Sequence, residues 1–303
     1  MENGAVQIYY GEGHGKTNVA IGSAICAACD GKQAVVIQFL KGKKEPEFLK
    51  KLEPEVKFFN FSRAGILFEQ LDEESKQEEI MNIKNGFNYA KKVISTGADM
   101  VVVLDEMLGL LDLHLISKEE LSDMLASRPD DVTVIMTGRV LDDGIREMAD
   151  EIYYGEGHGK TNVAIGSAIC AACDGKQAVV IQFLKGKKEP EFLKKLEPEV
   201  KFFNFSRAGI LFEQLDEESK QEEIMNIKNG FNYAKKVIST GADMVVVLDE
   251  MLGLLDLHLI SKEELSDMLA SRPDDVTVIM TGRVLDDGIR EMADEIYNIA
   301  SEK

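Results

Sequence analysis

The sequence predicts an α/β fold of three layers, a mostly parallel sheet with helices on both faces, present twice along the chain. Three observations carry that expectation. Apolar, β-branched runs alternate with helical patterns, the order that yields parallel strands joined by right-handed crossovers. The runs are nearly continuous in apolar residues rather than strictly alternating, as strands buried on both faces are. Finally, Ile8 to Tyr153 returns residue for residue as Ile152 to Tyr297, at an offset of 144. A solenoid repeat runs to roughly 50 residues, so each copy is a domain in size. The predicted domains are 1–151 and 152–303. The identity includes solvated Lys/Glu faces, which drift first, and so points to a very recent duplication, a deliberate fusion or an error of sequence assembly.

In one copy the strands are expected at Val6–Tyr10, Ala34–Leu40, Val56–Phe61, Met100–Leu104 and Val132–Met136. Helical patterns lie at Lys16–Ala28, Pro46–Leu52, Asp72–Ser95, Lys118–Ser127 and Asp142–Ala149. Ser117 with Glu120 forms a capping box, and Gly31, Gly97 and Pro129 punctuate helix ends. The acidic opening of the long helix (Asp72, Glu73, Glu74, Glu78, Glu79) reads as a solvated face favoured by the helix dipole. Between the copies no linker intervenes. Glu151 to Tyr154 is the only candidate both for the last strand of copy 1 and for the first strand of copy 2. Because the second glycine loop follows directly, this strand is expected to serve copy 2.

That loop is the most informative segment. Gly11-Glu12-Gly13-His14-Gly15-Lys16-Thr17 follows a strand and opens a helix, and recurs as Gly155-Glu156-Gly157-His158-Gly159-Lys160-Thr161. Glycines allow backbone N–H groups to approach phosphates, the helix N-terminus adds positive dipole, and Lys16 adds a full charge. The Thr17 hydroxyl is placed to hold a Mg²⁺ bridging phosphates. The loop is one residue shorter than G-x-x-x-x-G-K-[ST], and the fold implied is P-loop NTPase-like (RecA-like). A second element, Val101 to Glu106, delivers Asp105 and Glu106 at the carboxyl end of a strand, where α/β sheets bind ligands. Beside the loop, these acids (Asp249 and Glu250 in copy 2) complete a magnesium site.

Three further segments stand at the same end: Gln38-Phe39-Leu40-Lys41-Gly42, Gly65-Ile66-Leu67-Phe68-Glu69 and Thr137-Gly138-Arg139. Arg139 is positioned to contact phosphates or to pair with Asp142. The Gly65 loop is an apolar lid or core packing. Net charge is −19, which excludes bulk attraction to nucleic acid. With no apolar run near 18 residues and no cationic leader, a soluble, cytoplasmic protein is expected. The four cysteines (Cys26, Cys29, Cys170, Cys173) lack further ligands at zinc spacing and read as free, small, buried residues. His114 reads as a core or cap histidine.

Taken together, the loop, Gln38–Gly42, Gly65–Glu69, Leu104-Asp105-Glu106 and Thr137–Arg139 resemble the ATP:corrinoid adenosyltransferases of the P-loop type, over nearly all of each copy. The resemblance implies that ATP lies reversed along the loop and that a Co(I) corrinoid attacks its ribose 5′-carbon, releasing triphosphate. It implies ATP and Mg²⁺ as cofactors, a corrinoid substrate, an electron-donating reductase and a homodimer-like pairing, with no membrane and no nucleic-acid partner. Lys16 and Thr17, and Lys160 and Thr161, would stabilise the leaving group. Gly11, Glu12, Gly13, His14, Gly15, Asn18, Lys41 and Arg139 would bind the nucleotide. Their counterparts are Gly155, Glu156, Gly157, His158, Gly159, Asn162, Lys185 and Arg283. Ile66 and Phe68, with Ile210 and Phe212, would line the corrinoid pocket. The metal would rest on Thr17, Asp105 and Glu106, or Thr161, Asp249 and Glu250. Departures are one aromatic instead of two in the corrinoid loop, Asn18 in place of a second hydroxyl, and His14 in place of a lysine. Other readings of the same loop are a P-loop ATPase or kinase and a non-catalytic binder.

Overall fold

The computed structural model describes residues 4–11, 15–42, 47–62, 68–154, 159–184, 191–206, 212–296 and 300–301. The chain forms two compact units, one of Met1–Gly166 with Asn298–Lys303, the other of Ser167–Tyr297. The units divide inside a helix, beyond the repeat boundary.

In the first unit the strands are β1 (Val6–Tyr10), β2 (Ala34–Gln38), β3 (Val56–Asn60), β4 (Val101–Asp105), β5 (Thr133–Gly138) and β6 (Glu151–Tyr154). The helices are α1 (Gly15–Cys29), α2 (Glu73–Thr96), α3 (Met107–Asp112), α4 (Lys118–Ala126) and α5 (Asp143–Arg146). Helix α6 (Lys160–Cys173) opens the second copy. The second unit holds β7 (Ala178–Gln182), β8 (Val200–Asn204), α7 (Glu217–Thr240), β9 (Val245–Asp249), α8 (Met251–Asp256), α9 (Lys262–Ala270), β10 (Thr277–Met280) and α10 (Asp287–Arg290). The chain's last strand, β11 (Ala300–Ser301), joins the first unit's sheet.

The expected elements are present with ends shifted by a few residues, β5 for example running on to Gly138 and α1 spanning Gly15–Cys29, and some of the shifts have local reasons. β2 stops at Gln38 because Leu40 turns into left-handed backbone, φ 55°. Helix α2 starts where Asp72 accepts from the Ser75 N–H (2.8 Å) and stops where Gly97, φ 61°, donates to the Ile94 carbonyl. The Ser117/Glu120 capping box forms at α4. The Pro46–Leu52 pattern forms a 3-10 turn over Glu47–Leu52. Helix α3, immediately after the acidic strand end, lacks a signal strong enough to have been anticipated. His114 is an exposed cap residue in left-handed backbone (φ 55°), not a core one. The cysteines are half-buried rather than buried.

The first unit's sheet runs in the order β11-β6-β1-β5-β4-β2-β3, all parallel except β11. Strands β2 and β4 are buried from Ala34 to Ile37 and from Val101 to Asp105, as their continuous apolar runs require. Val35, Ile37, Val102, Leu104, Val134 and Met136 pack with Ile83, Ile94 and Met107 into one core.

The junction strand departs from expectation. β6 does not serve copy 2; it pairs with β1 in the first unit's sheet, each residue opposite its own repeat (Ile8 with Ile152, Tyr9 with Tyr153). The reason lies in the two residues at which the repeats differ. Asp150 stands where Val6 stands in the first copy, and its carboxylate accepts the Val6 N–H at 2.8 Å. Glu151 replaces Gln7 and accepts from the Gln7 amide, also at 2.8 Å. Stacking of Tyr9 on Tyr153, centroids 4.7 Å apart, completes the seam.

The second unit's sheet has four strands, β10-β9-β7-β8. Among the described residues no strand of that sheet stands on the outer side of β10, where β1 flanks β5. Val134 to Gly138 are buried, whereas Val278 to Met280 are half-buried and Thr277 is exposed. Scanning calorimetry should therefore resolve two transitions, with the second unit melting first. A Cβ added at Gly138 or Gly282 would lie 2.3 Å from Leu108 or Leu252 Cβ, an overlap that costs about 1–3 kcal/mol. Gly282→Ala should lower only the first transition and Gly138→Ala only the second; a single transition shifted by both would contradict this.

Candidate active site

The site of the first unit gathers at the carboxyl ends of β1, β2, β4 and β5. Asp105 ends β4 with no exposed surface, a position that a carboxylate tolerates only with donors around it. Four polar groups supply them. Thr137 Oγ1 donates to Oδ1 at 2.7 Å, Gln38 Nε2 to Oδ2 at 3.1 Å, and Thr17 Oγ1 lies 3.2 Å from both oxygens. The Lys41 ammonium stands 3.7 Å from Asp105 and 3.5 Å from Glu106, and donates to the Thr17 hydroxyl. Thr137 also accepts the Glu106 N–H at 2.8 Å. That bond holds Glu106 in left-handed backbone, φ 63°, a conformation that non-glycine residues keep only where neighbours impose it.

Beside this cluster, the Gly11 N–H donates to the Arg139 carbonyl (3.2 Å), tying the loop's entry to the end of β5. Gly15 opens α1, so the helix N-terminus faces the strand ends. Lys16 is 6% exposed and its ammonium donates to the Gly11 carbonyl at 2.6 Å. Burial lowers the Lys16 pKa from its ordinary 10.5, opposed by Glu106 and Asp105 and assisted by Lys41 and Arg139.

A hard divalent cation binds oxygen ligands, and the donor set here is of that kind: one hydroxyl and two carboxylates. A cation already stands among them, the Lys41 ammonium. Among the described residues no cluster of three or more His, Cys, Asp or Glu side chains is grouped as a metal site. Any magnesium would therefore depend on Thr17 and on phosphate oxygens in addition to the acids.

The comparisons with known proteins follow the repeat. A family model described as ATP:corrinoid adenosyltransferase BtuR/CobO/CobP matches residues 2–153 and again 151–303, the two matches overlapping on the junction strand. The chain belongs to the ATP:corrinoid adenosyltransferase family. It is 30% identical to the corrinoid adenosyltransferase of Escherichia coli K12 over 151 residues, half of this chain and 76% of that one. The same figures hold for the corrinoid adenosyltransferase CobA of Salmonella typhimurium. An uncharacterized protein of Nostoc, all2391, is similar over 92% of the chain, at 28% identity across 331 residues and 85% of its own length.

Within this adenosyltransferase fold the first copy's residues converge: Gly11, Gly15, Lys16, Thr17, Lys41, Asp105 and Glu106 share one corner. Arg139 is exposed, with its carbonyl rather than its side chain engaged at the loop; Asp142 pairs with Lys118 instead. Asn18 is half-buried at the first turn of α1, and its carbonyl lies against Gly166. Phe68 is half-buried. Glu12, Gly13, His14 and Ile66 lie outside the described residues, as do Gly155, Glu156, Gly157, His158, Lys185 and Ile210. In the second copy Asp249 accepts from Thr281 (2.7 Å) and Gln182 (3.1 Å), repeating the acid's shell. Glu250 repeats the left-handed turn, φ 61°. Phe212 and Arg283 belong to this second unit; Gly159, Lys160, Thr161 and Asn162 belong to the first. Asn162 donates to Ser23 at 2.9 Å.

Three residues without an assigned role in the sequence reading prove central. Gln38 and Thr137 sit inside the quoted motifs, so the motif itself was the signal. Glu79 lacked any signal: it was read as solvated, yet it is buried and accepts from Ser62 Oγ, whose oxygen takes the Gly42 N–H at 3.1 Å. That bond ties the residue after Lys41 to α2.

Thr137→Val should cost about 1–3 kcal/mol in urea unfolding, because it strips a donor from buried Asp105 and orphans the Glu106 N–H; Thr137→Ser should recover most of it. Lys16 carries a folded pKa below the unfolded one. Between the two values the unfolded chain binds more protons, so stability rises with pH, while anion binding that needs the ammonium is lost. The alkaline limb of ATP affinity should therefore begin below pH 10.5, and a limb at or above that value would remove the burial argument.

Proposed function

We propose that the first unit transfers the 5′-deoxyadenosyl group of ATP to the Co(I) of a corrinoid, with release of triphosphate, in cobalamin biosynthesis or salvage. The observation that carries the reading is the corner formed by Lys16, Thr17, Lys41, Asp105 and Glu106 at the N-terminus of α1. In this reaction the cobalt lone pair forms the Co–C bond to the ribose 5′-carbon. The C5′–O bond breaks, and its electrons leave on the triphosphate. Stabilising negative charge on that leaving group is the protein's main task, and it suits cations and oriented N–H groups fixed before the reaction starts.

Lys16 would meet the phosphates when it releases the Gly11 carbonyl. The α1 N–H groups would donate to the same oxygens. Thr17, Asp105 and Glu106 would hold Mg²⁺, which supplies further neutralisation of phosphate charge; Lys41 now stands among those oxygens and would be displaced toward the phosphates. No general base is assigned, since the reduced cobalt is itself the nucleophile. Phe68, with Ile66, would shield the corrinoid face from water. An electron-donating reductase would return Co(II) to Co(I) before each turnover.

The reading assigns one working site to the monomeric chain. The second loop follows β6, a strand of the first unit's sheet, whereas Asp249 ends a strand of the second unit's sheet. Turnover of ATP, Mg²⁺ and chemically reduced cob(I)alamin should yield equal amounts of adenosylcobalamin and triphosphate. Under dilute, monomeric conditions Lys16→Ala should lower kcat/KM by about 10²–10³, the scale of losing one preorganised charge-stabilising group, and Lys160→Ala should change it little. Orthophosphate release without cobalt alkylation would replace this reading with an ATPase.

A further inference from the structure

We propose that Glu79 is a positioning residue for the triphosphate, acting through Ser62 and Gly42 on the cation Lys41; the inference rests on the nucleotide reading above. The sheet holds the end of β2 from both sides. The Phe39 N–H donates to the Asp105 carbonyl and the Phe61 N–H to the Gln38 carbonyl, each at 3.0 Å. Past that point the chain leaves the ladder, and Lys41 stands between two left-handed residues, Leu40 (φ 55°) and Gly42 (φ 47°). Leu40 is not a glycine, so such a backbone persists only where its surroundings impose it. On one side they do so by packing against Gly109 of α3, where an added Cβ would lie 3.0 Å from Leu40 Cδ1. On the other side the Gly42 N–H donates to Ser62 Oγ at 3.1 Å.

A serine hydroxyl has a single proton. Here that proton goes to Glu79 Oε1, which leaves the oxygen's lone pairs for the Gly42 N–H. The acid therefore decides which way the hydroxyl points. Ser62 is itself held, since its N–H donates to Asn60 Oδ1 at 2.8 Å. Glu79 and Ser62 are both buried, whereas Glu73, Glu74 and Glu78 on the same turns of α2 are exposed. An acid is costly to bury, and an apolar residue would serve better if anchoring α2 were the only task. The arrangement recurs in the second unit. Ser206 Oγ donates to Glu223, the Ser206 N–H to Asn204 at 2.8 Å, and Leu184 is left-handed, φ 57°. It is thus independent of the junction strand. The Lys41 ammonium now lies 3.7 Å from Asp105 and 3.5 Å from Glu106. To meet phosphates it must swing while its backbone stays, and Gly42 secures the backbone end of that swing.

The test reads binding to the full chain rather than turnover, at the ATP site that Lys16→Ala removes. In titration calorimetry with Mg²⁺ and ATP, Glu79→Leu and Ser62→Ala should each weaken ATP about tenfold, within the range by which members of one hydrogen-bond network couple. Glu79→Gln, whose amide oxygen still accepts the Ser62 proton, should recover most of that loss. In a Lys41→Met background neither substitution should weaken ATP further. Inorganic triphosphate should lose the same factor as ATP, and adenosine nothing. Losses that add to that of Lys41→Met, or that fall equally on adenosine, would overturn the proposal and leave Glu79 a purely structural acid. Should Glu79→Leu fail to fold, Ser62→Ala carries the same comparison. An unaltered chain that binds no ATP would remove the nucleotide reading and this inference with it, whereas ATP binding with additive losses removes this inference alone.

Discussion

A β-strand can belong to one sheet only, and this chain has one strand fewer than its two copies require. The copies share Glu151–Tyr154, and its position decides the rest. Placed beside β1, it satisfies both new carboxylates: Asp150 takes the Val6 N–H and Glu151 the Gln7 amide. Placed in the second sheet, it would set Asp150 opposite Val278 at the position that Val6 fills in the first. A carboxylate there loses its backbone partner and faces an apolar side chain, and burial of an unpaired charge is the more costly error. The first unit thus gains an outer strand at the expense of the second, whose sheet stops at β10.

The site depends on a second constraint, the complete burial of Asp105. A carboxylate with no exposed surface must be surrounded by donors, and its four polar neighbours come from three different segments: Thr17, Gln38 with Lys41, and Thr137. One acid therefore fixes the mutual placement of the glycine loop, the end of β2 and the end of β5. Thr137 does this twice over, donating to Asp105 while accepting from the Glu106 N–H. The resulting pocket of charge faces the N-terminus of α1, so cations, dipole and carboxylates are ordered before any phosphate arrives. Glu79 extends the same logic outward through Ser62 to Gly42.

Much of this was legible in the sequence, for identifiable reasons. Continuous apolar runs marked β2 and β4 because those strands are buried on both faces. Gly97 and the Ser117/Glu120 pair marked helix ends because caps act locally. Lys16, Thr17, Asp105 and Glu106 were legible because phosphate and metal chemistry demand particular residue types at strand ends. What escaped is non-local. Glu79 is one acid among several on an exposed-looking helix turn, and only the packing of α2 against the end of β3 turns it inward. The position of β6 rested on two residues, Asp150 and Glu151, whose partners lie 144 positions away.

The repeat also separates intrinsic preference from context in a way that single sequences do not allow. β5 and β10 share the residues Thr-Val-Ile-Met-Thr-Gly, with the same upstream helix and the same downstream cap. Their propensities and patterns are therefore equal. One runs for six residues and is buried from its second residue on; the other runs for four and is half-buried. The difference cannot come from the strand itself and must come from its neighbour, β1 for β5 and, among the described residues, no strand for β10. Strand preference is in this sense a statement about what covers a strand. A sequence that specifies the strand but supplies its cover once for two sheets therefore yields two different strands from one set of residues.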